Sequence, residues 1–164
     1  MISMKRILFF VSVLMIVSSM KGYAQPRNGQ QAAEIALPSL DGDTIRLSSL
    51  KGKVVLVDFW ASWCGPCRSS NKKLVKIYPK YKDKGFEIFS ISLDRNSKAW
   101  KKAVSKDKIN WTQVIDDRGD GALTAIQWNA YVIPTSYLID KQGKIIAADP
   151  EPKELEILLK SLLN

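Results

Sequence analysis

Trp63-Cys64-Gly65-Pro66-Cys67 contains both cysteines of the chain, separated by two residues. Two thiols at this spacing can close a small disulfide ring and exchange it with a partner, which is redox chemistry. The motif follows an apolar run that reads as a strand and precedes a segment with helical spacing, so a helix is expected to start around Gly65. Its first-turn amides then point their unpaired N–H groups toward Cys64 and favour a thiolate there. Cys64 is the expected nucleophile. Cys67, one turn further in, is the expected resolving thiol, kept protonated by burial. Pro66 suits a first turn, whose amides have no intrahelical acceptor, and Gly65 leaves the approach to the sulfur open. The same pair could instead be an inert disulfide or half of a metal site. A second ligand pair is missing, however, and the chain has no histidine. Trp63 is either a core aromatic or an apolar rim for a partner polypeptide.

Two further positions could take part. Asp58 comes directly after Val54-Val55-Leu56-Val57 and six residues before Cys64. It is either a solvated strand-end carboxylate or a buried one, and burial would raise its pKa. A raised carboxylate could accept the Cys67 proton during resolution. Ile133-Pro134-Thr135 places a proline at the entry of an apolar strand, where a missing N–H is costly unless that edge serves a purpose. A plain loop proline is the alternative.

The elements that must hold these residues follow from periodicity. Short alternating runs at 35–37 and 44–47 flank Asp41-Gly42, which suggests a hairpin. The run 54–57 is unbroken, as expected of a central strand buried on both faces. After Cys67, Leu74, Ile77, Tyr78 and Tyr81 recur at helical spacing with Lys72, Lys76 and Lys80 opposite. Pro79 predicts a kink or an early end near Tyr78. Strands are expected over 86–93, 111–115, 137–139 and 145–147, and helices over 97–106, 121–128 and 153–163. Strands alternating with helices, then a hairpin and a last helix, give an α/β fold with a mixed central sheet covered on both sides.

The missing histidine also excludes a Ser-His-Asp triad and imidazole-dependent metal sites. At the N-terminus, Lys5 and Arg6 precede an apolar run over 7–17, broken only by Ser12, and Gly22-Tyr23-Ala24 offers a cleavage site. Residues 1–24 therefore read as a secretory signal peptide. As a helix the run rises only ~16 Å, about half a bilayer core, so an uncleaved anchor is the weaker alternative. Residues 25–34 are polar and aperiodic and are expected to be a flexible lead-in to a single domain over 35–164. After the first 24 residues, 22 basic side chains face 16 acidic ones. This excess is moderate, and the lysine-rich stretches carry no aromatic interleaving, so they read as solvated faces rather than a nucleic-acid site.

These residues converge on a family. Lys51 through Cys67, then Gly85-Phe86-Glu87-Ile88, and Val132-Ile133-Pro134-Thr135-Ser136-Tyr137-Leu138-Ile139-Asp140 resemble the TlpA/ResA-like branch of the thioredoxin superfamily over about 36–162. That likeness implies a thioredoxin fold with an N-terminal β-hairpin extension and a helical insertion between Asp94 and Asp116. It implies that Pro134 is the cis-proline facing the active sulfurs, that Ile133 pairs its backbone with a substrate strand, and that Asp58 is the buried acid. The chain departs from the pattern at Ser70 and Lys72, where many relatives have an acid and a proline. Any role of that second acid is therefore void here. Asn129 stands where relatives often have Gly after a helix, a benign change for a left-handed cap.

The resemblance implies an extracytoplasmic thiol-disulfide oxidoreductase without cofactor or metal. Gly-Pro between the cysteines resembles the reducing members. A reductase in an oxidising compartment must be re-reduced, so a membrane-embedded thiol donor is expected, with disulfide-containing proteins, apocytochrome c among them, as substrates and a monomeric, periplasmic protein as the setting. Peroxiredoxin-like peroxide reduction is one rival, but residues 60–63 contain no threonine for the peroxidatic pattern. A thiolate copper chaperone is another, although it normally recruits a histidine. A redox-inert domain stapled by one disulfide is the third.

Overall fold

A computed structural model describes residues 26–163. The expected signal peptide over 1–24 lies outside them. Among the described residues no helix is long and apolar enough to cross a membrane.

The centre is β3 (Val54–Trp60), buried along its whole length. It pairs in parallel with β4 (Phe86–Ser92) and antiparallel with β6 (Thr135–Ile139). β5 (Thr112–Ile115) extends the β4 side in parallel and β7 (Ile145–Ala148) the β6 side antiparallel, giving the order β5-β4-β3-β6-β7. Side chains alternate across this sheet. Val54, Leu56 and Trp60 join a core with helices α1 (Gly65–Tyr81), α2 (Ser97–Lys106) and α4 (Pro152–Leu162). Val55, Val57 and Phe59 face a second core under α3 (Leu123–Gln127) and the hairpin β1 (Ala36–Pro38)–β2 (Thr44–Arg46). Two covered faces explain the unbroken apolar run, since each fully buried Val, Leu or Phe contributes about 1.5–3 kcal/mol.

Two local outcomes add to the expectation. Of the two outcomes expected at Pro79, the early end does not occur: helix α1 runs through Pro79 to Tyr81. The hydrogen-bond ladder resumes at once, with the Lys82 N–H on the Tyr78 carbonyl. Tyr78 and Tyr81 are buried, and Tyr78 packs edge-on against Trp111 with ring centroids 5.7 Å apart, so aromatic burial outweighs the one backbone bond that proline removes. The described part of the polar lead-in makes backbone hydrogen bonds to the sheet. Gly29 N–H donates to the Ile145 carbonyl, Ile145 N–H to the Gln30 carbonyl and Ala32 N–H to the Gly143 carbonyl, so residues 29–32 dock along the edge of β7. Unpaired edge groups recruit such a segment even without apolar periodicity. The segment between Asp94 and Asp116 supplies α2 and then the edge strand β5, the helix and the strand expected over 97–106 and 111–115.

Candidate active site

β3 delivers the chain to the edge of its own core, and Ala61-Ser62-Trp63 turns it into α1. Cys64 is the N-cap of α1 with extended backbone, and Pro66 occupies its first turn. The Cys67 N–H donates to Cys64 Sγ at 3.2 Å, so a helix-terminal amide is aimed at that sulfur. The two cysteines form a disulfide. In this oxidised form both cysteines are buried, Cys64 at 5 % exposure and Cys67 more deeply at 1 %.

The surface around the disulfide is apolar and open. Trp63, beside Cys64, is 67 % exposed, which makes it a rim and not a core residue. Gly65 and Pro66 are exposed, and a Cβ at Gly65 would meet no atom within 4 Å, so the protein's own packing does not require glycine there. From the other side comes the loop before β6. Its Ile133–Pro134 peptide bond is cis, and the Ile133 carbonyl oxygen lies 3.9 Å from Cys64 Sγ. The Thr135 hydroxyl donates to the Val132 carbonyl at 2.6 Å and pins this loop. Val132 is 76 % exposed beside it. The fold thus brings Trp63, Gly65, Pro66, Ile133 and Pro134 together around the sulfurs.

Asp58 lies on the same sheet face as Cys64 and Cys67, in register with Ser90 of β4 and Ser136 of β6. It is buried, and burial pushes its carboxyl up to about 6; the Ser90 hydrogen bond opposes this and the negative charge of Asp149 adds to it. Ser90 donates to Asp58 Oδ2 at 3.0 Å while accepting from the Trp111 indole N–H at 2.9 Å. Neither Ser90 nor Trp111 emerges as a site residue from sequence pattern, since both read as ordinary strand positions. A cleft of about 380 Å³ reaches Asp58 past Ser70, Lys73, Pro134 and Asp149, which gives the carboxyl a route for proton exchange. Ser70 therefore stands in the cleft without a carboxylate to offer. Among the described residues no group of three or more His, Cys, Asp or Glu side chains could hold a metal ion.

A disulfide at a helix N-terminus, flanked by a cis-proline loop and backed by a buried carboxyl, can exchange with a second disulfide and move two electrons. Comparison with known proteins agrees with that chemistry. Residues 28–148 match the AhpC/TSA family. The thiol-disulfide oxidoreductase ResA of Bacillus cereus is 32 % identical over 170 residues, covering 96 % of each chain. Among solved structures, the thioredoxin domain of a thiol-disulfide oxidoreductase from Bacteroides vulgatus superposes with a TM-score of 0.79 at 36 % identity, over 84 % of this chain and 99 % of that one. A thiol-disulfide oxidoreductase from Bacteroides fragilis gives 0.77 at 36 % identity, over 82 % and 100 %.

Proposed function

The chain belongs to the AhpC/TSA family of the thioredoxin superfamily and is a thiol-disulfide oxidoreductase, and from that premise we propose that it reduces protein disulfides outside the cytoplasm through Cys64 and Cys67. One observation carries the reading: the Cys67 amide aimed at Cys64 Sγ, which favours negative charge on that sulfur once the pair is reduced.

Cys64 thiolate attacks a substrate disulfide, a bond forms between Cys64 Sγ and one substrate sulfur, and the other substrate sulfur leaves as a thiolate. Cys67 then gives its proton to the Asp58 carboxylate and attacks Cys64 Sγ, displacing the second substrate thiolate. The enzyme is left as the disulfide and the substrate has gained two electrons. Trp63, Gly65, Pro66 and the backbone of Ile133 and Pro134 receive the substrate chain, with an exposed apolar rim on either side of the sulfurs. Such a reductase needs a membrane-embedded thiol donor to reset it, and apocytochrome c is among the substrates it would serve. Cleavage after Ala24 releases a monomer that starts at Gln25 and carries the thioredoxin-like domain over 35–164.

The test is reduction of insulin with a dithiol as electron source. The unmodified domain is expected to accelerate it, Cys64→Ser to abolish the acceleration, and Cys67→Ser to accumulate a mixed disulfide visible by mass spectrometry. Acceleration that survives Cys64→Ser would remove the reading. Equilibration with a glutathione series settles the direction, and the N-terminal sequence of the exported protein, expected to start at Gln25, checks the cleavage.

A further inference from the structure

The turn that carries the nucleophile is gripped by groups outside the cysteine motif. Ser62, two positions before Cys64, directs its polar groups to two partners. Its backbone N–H donates to Asp94 Oδ2 at 2.8 Å and its hydroxyl to Asp94 Oδ1 at 2.6 Å. Its carbonyl accepts from Arg68 Nη1 at 3.0 Å. Asp94 follows β4 and is only 2 % exposed. The Ser92 hydroxyl donates to Asp94 Oδ2 at 2.7 Å, and the Asp94 N–H donates back to Ser92 Oγ at 3.1 Å, so the carboxylate has a fixed orientation. Arg68, the residue after Cys67, makes a two-pronged pair with Asp107 at the C-terminal end of α2.

Charge-assisted hydrogen bonds of this kind are short and stiff. The Cys64 N–H donates to the Ala61 carbonyl at 3.1 Å, so a shift at Ser62 is carried into the Cys64 backbone and into the angle between its sulfur and the Cys67 amide. We infer that Ser62 and Asp94 are positioning residues that lock the turn before Cys64, keeping its sulfur aligned on the first-turn amides of α1. The inference rests on the reading of Cys64 as the nucleophile. It makes the β4–β5 segment, which supplies Asp94 and Asp107, a support of the redox centre.

The charged groups set around this turn are Asp94 and Arg95 after β4, Arg68 in α1 and Asp107 at the end of α2, while Asp58 in β3 lines the separate cleft with Lys73 and Asp149. Ser62→Ala leaves all of them in place and removes one hydrogen bond. The experiment measures alkylation of Cys64 by iodoacetamide against pH in the reduced full chain, together with thermal melts. Ser62→Ala is expected to slow the reaction at pH 7 by about threefold to tenfold and to move its pH profile upward, while Ser62→Thr, which keeps the hydroxyl, restores the rate. Asp94→Asn is expected to move the profile upward as well, although loss of a negative charge alone would move it downward. A melting temperature that falls while the profiles stay in place, or a downward move in Asp94→Asn, would overturn the inference. Should Cys64 of the unmodified chain react no faster than free cysteine, the nucleophile reading fails and takes the inference with it; a reactive Cys64 indifferent to Ser62→Ala sinks the inference alone.

Discussion

Asp58 shows how one buried side chain sets stability against activity. Its carboxyl is held up at about 6 in the folded protein against about 3.9 in an unfolded chain, so folding favours the protonated form. The stability contributed by this group is full below about pH 4 and is lost as pH rises through about 6. The loss is on the order of 3 kcal/mol. Asp58→Asn removes the ionisation while keeping the shape. Urea unfolding at pH 8 is therefore expected to show the variant more stable than its parent by up to about 3 kcal/mol, with the two converging near pH 4. Identical pH dependence in both proteins would contradict burial as the cause. The same substitution removes the proposed proton acceptor for Cys67, and disulfide reduction at pH 7 is expected to slow by about a hundredfold. Asp58 was legible in the sequence as an acid out of place after four apolar residues. Ser90 and Trp111, which hydrogen-bond around it, were not, because serine and tryptophan are unremarkable in strands.

At the scale of elements, the short helix α3 delivers the chain to the Pro134 loop and depends on how it ends. Asn129 has φ 54°, and the Ala130 N–H reaches back to the Ala125 carbonyl at 2.8 Å, a left-handed cap that satisfies a terminal carbonyl. Trp128 is buried there, and its carbonyl accepts from the Tyr137 hydroxyl at 2.8 Å, which ties the cap to β6. Asn129→Ala is expected to cost about 1 kcal/mol of stability and Asn129→Gly to cost nothing, as read from denaturant midpoints. Equal loss in both would place the requirement in the Asn side chain instead of the backbone angle. The cap was readable from the resemblance, since Asn129 stands where relatives often have Gly, together with the tolerance of Asn for a left-handed angle. Between the kink and the early end that Pro79 left open, local propensity did not choose; the burial of Tyr78 and Tyr81 carries α1 through.

Across the whole molecule, the polar segment before the hairpin closes one edge of the sheet. With Gly29 and Gln30 bonded to Ile145, the Ile145 amide is expected to exchange slowly with solvent in the full chain and to exchange faster in a chain starting at Ala33, as hydrogen-exchange mass spectrometry would report. Unchanged protection after truncation would show that the docking contributes little. By itself the amino-acid sequence determined the redox pair, the apolar faces of the helices and the α/β alternation, because these depend on residue type and on short spacings along one stretch of chain. Only the tertiary structure decided that Trp111 reaches Ser90, that Ser62 meets Asp94 and that the Ile133 carbonyl comes to Cys64, pairs 21, 32 and 69 positions apart. Such contacts are set by strand order and register, which are properties of the assembled sheet and leave no periodic trace in any one of its strands.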